Sequence, residues 1–106
     1  MEYMSAGKPA VSPAHTGMSD YVDARNAFLV RTSLGPTRWP HDPREAQRAR
    51  RHRIDPESLV AAYRESFRVA TSDASTYLAM SRAAHERLRD HCSAPVIVAQ
   101  LRRFLD

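Results

Sequence analysis

A single cysteine, Cys92, leaves this chain without an internal disulfide, and a cytoplasmic location is the expectation that follows. No apolar run comes close to the roughly 20 residues that a membrane span needs. The first residues lack the basic stretch and apolar block of a secretory signal, so no transmembrane segment is expected, and a membrane-peripheral location is the one alternative. Lysine is almost missing: Lys8 is the sole lysine among 16 basic residues, and arginine supplies the rest. With the many alanines, that bias reads as codon usage in a GC-rich genome rather than as the mark of a ligand. Absent too are a glycine-rich phosphate loop, a Ser/His/Asp arrangement and an HExxH pattern. The five histidines, His15, His41, His52, His85 and His91, are scattered along the chain. His85 and His91 lie on one expected helix but do not share a face, and adjacent His91 and Cys92 cannot both point inward. No metal site is expected by ligand-cluster logic, and no cofactor. Cys92 has no histidine at useful spacing and reads as a packed small residue rather than a nucleophile.

What is present is an ordinary globular composition. Hydrophobic residues make up 42% and charged residues 26% of 106 residues, enough for one small domain. The formal net charge is +4, with a pI near 9.8. There is no internal repeat and no low-complexity tract.

The element order gives the first informative signal. Glu2 to Ala6 reads as the last turn of a helix, and Gly7 fits the left-handed position that ends one. Pro9-Ala10-Val11-Ser12, bounded by prolines, reads as a brief strand. A loop follows from Pro13 to Gly17, then a short helix through Val22 capped by Ser19 or Asp20. Asp23 to Asn26 has turn chemistry, and Ala27 to Val30 is an apolar run of strand length, of the kind found in covered parallel sheets. Residues 31 to 54 read as an irregular, arginine-rich connection punctuated by Gly35, Pro36, Pro40 and Pro43. Within it Asp42-Pro43 is a helix-start signal, and Ala46 to Arg53 would form a helix with almost no apolar face. Residues 55 to 106 read as three helices. The first starts at Asp55-Pro56-Glu57 with Leu59, Tyr63, Phe67 and Ala70 inward. The second is capped by Ser72 with Tyr77, Met80 or Ser81, Ala84 and Leu88 inward. The third opens at Ser93-Ala94-Pro95 with Ile97, Leu101, Phe104 and Leu105 inward. Two parallel strands are not a stable unit alone, and such strands sit in larger sheets with helices on both faces. The expected fold class is therefore α/β. Residues 1 to 30 are expected to be the last part of a Rossmann-like domain whose earlier strands lie elsewhere, followed by a three-helix tail.

The residues then resemble a family. Glu2-Tyr3-Met4-Ser5-Ala6-Gly7-Lys8-Pro9-Ala10-Val11 is similar to a signature of the large retaining, nucleotide-sugar-dependent glycosyltransferase family of the GT-B fold. That pattern is Glu, a short small-residue and Met stretch, Gly, any residue, Pro and a β-branched strand. Gly17 to Val22 resembles the family's Gly-x-x-Glu-hydrophobic segment, with Asp20 where the family usually has Glu. Asn26-Ala27-Phe28-Leu29-Val30 is similar to its Asn-Gly-Phe-Leu-Val strand, and Asp55-Pro56-Glu57-Ser58-Leu59 to a helix start. Ala84 to Ser93 and Val98 to Leu105 look like its last two helices. The segment 31 to 54 is longer than the family's usual connection. The resemblance implies sugar transfer from a nucleotide-sugar donor to an acceptor, with Glu2 holding the ribose hydroxyls of the nucleotide. An ionised carboxylate can accept from both vicinal hydroxyls. Glu2 matches only the second glutamate of the family's pair, and the acceptor domain and the diphosphate-binding residues have no counterpart here. The isolated chain is therefore expected to lack a complete active site and to self-associate or need a partner chain.

A second class stays open. Arg44, Arg48, Arg50, Arg51 and Arg53 crowd ten residues and would attract a polyanion, so an anion-binding role is a candidate. The run lacks interleaved aromatics and any recognised nucleic-acid motif. It is read first as a solvated helix face, with nucleic acid set below it beside an anionic membrane surface and an acidic partner. The alternative function is thus a small helical interaction or nucleic-acid-binding module. Trp39 would anchor the irregular segment onto the domain or, as a second reading, stack on a sugar.

Overall fold

A short helix, α1 (Glu2–Ser5), leads through Gly7 into strand β1 (Ala10–Ser12), and β2 (Ala27–Leu29) pairs with β1 in parallel. The register sets Ala10 against Ala27, Val11 against Phe28 and Ser12 against Leu29. The computed structural model describes residues 1–44, 46 and 49–105. Strands β3 (Thr32–Pro36) and β4 (Arg50–Ile54) form a separate antiparallel hairpin, and α2 (Pro56–Ser72), α3 (Ala74–Cys92) and α4 (Ala94–Leu105) complete the chain. The protein is thus mixed α/β, with two short parallel strands and helices. The connection between β1 and β2 contains a 3-10 turn at Thr16–Asp20, not the α-turn expected to be capped by Ser19 or Asp20. Its tight spacing is closed by Met18 N–H on the His15 carbonyl and Tyr21 N–H on the Met18 carbonyl, bonds of the i-to-i+3 kind.

The helix starts follow from local chemistry. Asp55 precedes Pro56 at the first helical position and accepts from the Glu57 N–H at 3.1 Å, satisfying one of the donors a helix N-terminus leaves open. Arg31 ties the hairpin to this start. Its N–H donates to Ser58 Oγ at 2.8 Å and its guanidinium pairs with Asp55 at 2.9 Å. For α3 the cap is Asp73, which accepts from the Thr76 N–H. Ser72, the expected cap, instead closes α2. A carboxylate one residue closer to the helix reaches the Thr76 amide.

The core is small and lies between α1, the parallel strands and α3. Met4, Val22, Ala27, Ala84 and Leu88 form one buried cluster, fringed by Ala10, Met18, Tyr21 and Cys92. The inward face expected for α3 is the one observed, with Met80, Ala84 and Leu88 buried and Tyr77 and Ser81 half-buried. On α2 the expected face is wrong by a quarter turn. Ala62 and Val69 are buried, whereas Tyr63 and Phe67 are exposed, Phe67 at 72%. Small side chains let α2 approach α3 and both parallel strands, and the bulky ones are left outside that contact. Nor does α4 bury the residues expected inward: Ile97, Leu101, Phe104 and Leu105 are all exposed, because α4 packs chiefly against α3 and little else.

Residues 31 to 54 are not an irregular connection. They carry the β3–β4 ladder, in which Thr32 pairs with Ile54, Ser33 with Arg53, Leu34 with His52 and Gly35 with Arg51. Of the helix expected over 46 to 53, residues 50–53 are instead strand, Ala46 and Ala49 are not helical, and 47 and 48 fall outside the described residues. A helix here would have had no apolar stripe to bury; as a strand, residues 50–54 pair their backbone with residues 32–36. The chain spans 52 × 47 × 17 Å with a radius of gyration of 17.6 Å, against about 13 Å for a compact domain of this length. It is a flat slab whose thin core is the α1–β1–β2–α3 contact.

This packing makes opposite forecasts for two large-to-small truncations. Leu88→Ala should cost about 2–5 kcal/mol. Phe67→Ala should cost less than about 0.5 kcal/mol, as at a surface position. Urea unfolding of both variants checks the pair.

Candidate functional site

The candidate nucleotide contact begins with how α1 ends. The Lys8 N–H donates to the Tyr3 carbonyl at 2.9 Å and the Gly7 N–H to the Met4 carbonyl at 3.0 Å. This pair of bonds is a Schellman motif and needs a left-handed residue at Gly7, whose φ is +71°. A Cβ at Gly7 would sit 2.9 Å from Ser81 Oγ on α3, so glycine is required both for the turn and for the close approach of α3. Met4, on the buried side of α1, fixes this turn against Ala84 and Leu88. Glu2 lies in the first turn of α1 and is exposed. The arrangement presents an ionisable carboxylate on an anchored four-residue helix.

His85 was not singled out by the sequence for this role. Its Nδ1 lies 2.7 Å from the Ser5 carbonyl, so Nδ1–H donates to a last-turn carbonyl of α1 that the helix itself leaves open. It lies one position beyond Ala84 on α3, the signal that could have placed it beside the α1 contact. A hollow of about 360 Å³ opens at this junction, lined by Gly7, Ser81, Arg82, His85, Glu86 and Arg89 among others. A second of about 180 Å³ lies between Ser5, His85, Arg89 and Cys92. Arg89 faces both hollows and is paired with Asp90 at 3.1 Å.

A third hollow of about 210 Å³ lies by the turn before β2, lined by Arg25, Asn26, Glu86, Arg87 and Asp90. Asn26 is the one buried polar residue among the described residues. Its Oδ1 accepts from the Asp23 N–H and its Nδ2 donates to the Tyr21 carbonyl, each at 2.9 Å. The side chain therefore holds the turn shut and sets the direction in which β2 departs. The sequence showed turn chemistry here but not that Asn26 would be buried. Arg87 Nη2 donates to the Asp20 carbonyl at 2.7 Å and ties the 3-10 turn to α3.

The arginine run is divided by the fold. Arg44 lies exposed in a turn, and Arg50, Arg51 and Arg53 lie in β4. Arg48 falls outside the described residues. Strand alternation puts Arg51 and Arg53 on one face of the ribbon. On the opposite face His52 stacks on His15, with ring centroids 3.8 Å apart and planes 3° apart. That stack joins the hairpin to the segment after β1, and His52 Nδ1 lies 3.1 Å from Thr32 Oγ1. Trp39, expected to anchor the segment onto the domain, is instead 57% exposed. The hairpin has its own anchors at Arg31 and His52, so the indole is left outside.

The fold thus sets His85 and Arg89 at the α1–α3 junction, leaves Glu2 exposed in the first turn of α1, and carries the described arginines of β4 on a separate ribbon. Among the described residues no group of three or more His, Cys, Asp or Glu could hold a metal ion. No helix in the described residues is long and apolar enough to cross a membrane. Searches against protein-family models, curated proteins and solved structures each found no match.

Two variants test these local devices. Gly7→Ala should destabilise by about 1–2 kcal/mol from the left-handed backbone alone, with more from the Ser81 clash, read by thermal unfolding. At the turn before β2, the Arg25 guanidinium beside Asp23 holds its carboxyl below the usual carboxylate range. A lowered folded-state value means that the pair stabilises above the unfolded-state range and loses that contribution as pH falls through the folded value. Asp23→Asn should therefore lose about 0–1 kcal/mol at neutral pH, the range of a solvent-screened pair, with the difference from wild type vanishing in strong acid.

Proposed function

We propose that this chain is the C-terminal part of the donor-binding half of a retaining, nucleotide-sugar-dependent glycosyltransferase of the GT-B fold. In this reading the whole enzyme moves a sugar from a nucleotide donor to an acceptor. Glu2 accepts from the two ribose hydroxyls of the donor nucleotide. The observation that carries the reading is the α1–Gly7–β1 unit. A glycine-terminated helix with an exposed glutamate feeds directly into the first of two parallel strands. Both strands are three residues long and, among the described residues, pair only with each other, and such a pair draws its stability from a larger sheet. The flat slab and its thin core support a unit that packs against further polypeptide.

Alone, the chain supplies one charged contact to the donor, worth about 1.5–3 kcal/mol. Micromolar affinity needs about 8 kcal/mol. The isolated chain should therefore bind nucleotide sugars only at millimolar levels or weaker and should transfer no sugar. Saturation-transfer NMR with UDP-, GDP- and ADP-sugars tests the contact. Saturation should be strongest at the ribose protons and should disappear in Glu2→Ala. Ribose signals that are absent, or that survive Glu2→Ala unchanged, would sink the assignment.

A further inference from the structure

The β3–β4 ribbon concentrates the charge of the whole chain. Residues 31–54 hold seven arginines against two acidic residues, while the rest of the chain holds nine basic and ten acidic residues. The entire positive excess therefore belongs to this hairpin. Pairing fixes its orientation. Arg51 and Arg53 share a face with Gly35 and Ser33, the residues directly opposite them. Neither neighbour is large enough to screen a guanidinium. Arg53 lies across Gly35, its Nε 3.0 Å from where a Cβ would stand, and its Nη2 donates to the Pro36 carbonyl at 3.4 Å. Arg50 Nη2 reaches the Leu34 carbonyl at 3.5 Å. The Arg51 side chain is exposed and makes no hydrogen bond or ion pair with the described residues. The other face is occupied by the His52–His15 stack, so the arginine face is the one turned away from the parallel strands.

The ladder continues beyond β3, where the Thr37 N–H donates to the Ala49 carbonyl at 2.9 Å. Trp39 follows two residues later at the tip, exposed and with its ring 6.5 Å from that of His41. Read as a helix, this run had no aromatic partner. Folded as a ribbon, it sets Arg51 and Arg53 on one face, and an exposed indole stands two residues past the last ladder bond. We propose that this ribbon is a binding site for single-stranded nucleic acid, in which Arg51 and Arg53 contact the sugar–phosphate backbone and Trp39 stacks on a base. The two arginines lie two strand residues apart, about 6.8 Å, a repeat that an extended backbone can follow. A charged track with an aromatic platform is the recognition mode of single strands, whose bases are free to stack. In a duplex the bases are already stacked and the indole has no partner. An anionic membrane fits less well: an element lying on a bilayer presents an apolar face beside its basic one, and the arginine face carries only Ser33 and Gly35 opposite.

The chain has a single tryptophan, so its own fluorescence reports the tip directly. The experiment titrates the full chain with labelled oligothymidylate and oligouridylate of about 20 nucleotides, a few site sizes long. Anisotropy and Trp39 emission are followed between roughly 50 and 200 mM salt. Binding should quench Trp39 and weaken with salt, and the Arg51→Gln/Arg53→Gln pair should flatten the log–log salt slope by about 1.4, at about 0.7 per lost phosphate contact. Trp39→Ala should weaken binding about tenfold. Arg51→Gln alone supports no other part of the fold, and its smaller loss keeps the test readable if the double variant unfolds. No binding at low salt, binding without quenching, or binding indifferent to Arg51 would each overturn the proposal. So would equal affinity for phosphatidylserine vesicles or for inorganic polyphosphate.

Discussion

Everything near the proposed nucleotide contact depends on the seating of α1 against α3. Met4 projects from α1 into the space between Ala84 and Leu88, and the same cluster is closed by Val22 from the β1–β2 connection and Ala27 from β2. Four elements meet in one group of five buried side chains. The cluster decides where α1 stops, and Gly7 then turns the backbone left-handed within reach of Ser81. From there β1 has one direction to follow. His85 adds a polar fastening at the same place, donating from α3 to the Ser5 carbonyl. A small core of this kind gives a defined local geometry without a large reserve of stability, since hydrophobic stabilisation scales with the apolar area removed from water.

The rest of the molecule extends from that contact rather than surrounding it. The hairpin is held at two points, by Arg31 on Asp55 and Ser58 and by His52 on His15. Along its arginine face it is open. The outer surface of α2 and most of α4 carry Tyr63, Phe67, Leu101 and Phe104 in the open as well. Proposed sugar-donor chemistry at Glu2 and proposed nucleic-acid binding on the ribbon thus involve different elements with different anchors. Either could fail without affecting the other.

How much of this the sequence disclosed depended on whether the deciding interaction was local. Asp55-Pro56 and Gly7 carry their structural instruction in one or two residues, and both act as read. The parallel pairing of β1 with β2 also follows from short apolar runs bounded by prolines and a turn. The inward face of α3 was legible because its apolar residues fall on one stripe. The face of α2 was not. Its largest apolar residues, Tyr63 and Phe67, suggest one side, but the side chains that α2 buries are the smaller Ala62 and Val69. The hairpin escaped for a related reason. Neither face of β4 is buried, so Arg50 to Arg53 show no apolar alternation, and their strand character lies in the ladder with residues 32–36. The contribution of His85 and Asn26 was hidden because each acts on a backbone carbonyl or amide that local pattern does not expose.

Amide hydrogen exchange tests the central claim most directly, namely that α1, the Gly7 turn and the parallel strands form one unit built on the Met4–Leu88 cluster. The Lys8 amide donates to Tyr3 and the Val30 amide donates to Ser12, so each reports one end of that unit. Both should be protected in the wild-type chain, and both should lose protection together in Leu88→Ala while the Thr37 amide of the hairpin keeps its own rate. Free exchange at Lys8 and Val30 in the wild type, or loss at one without the other, would contradict it.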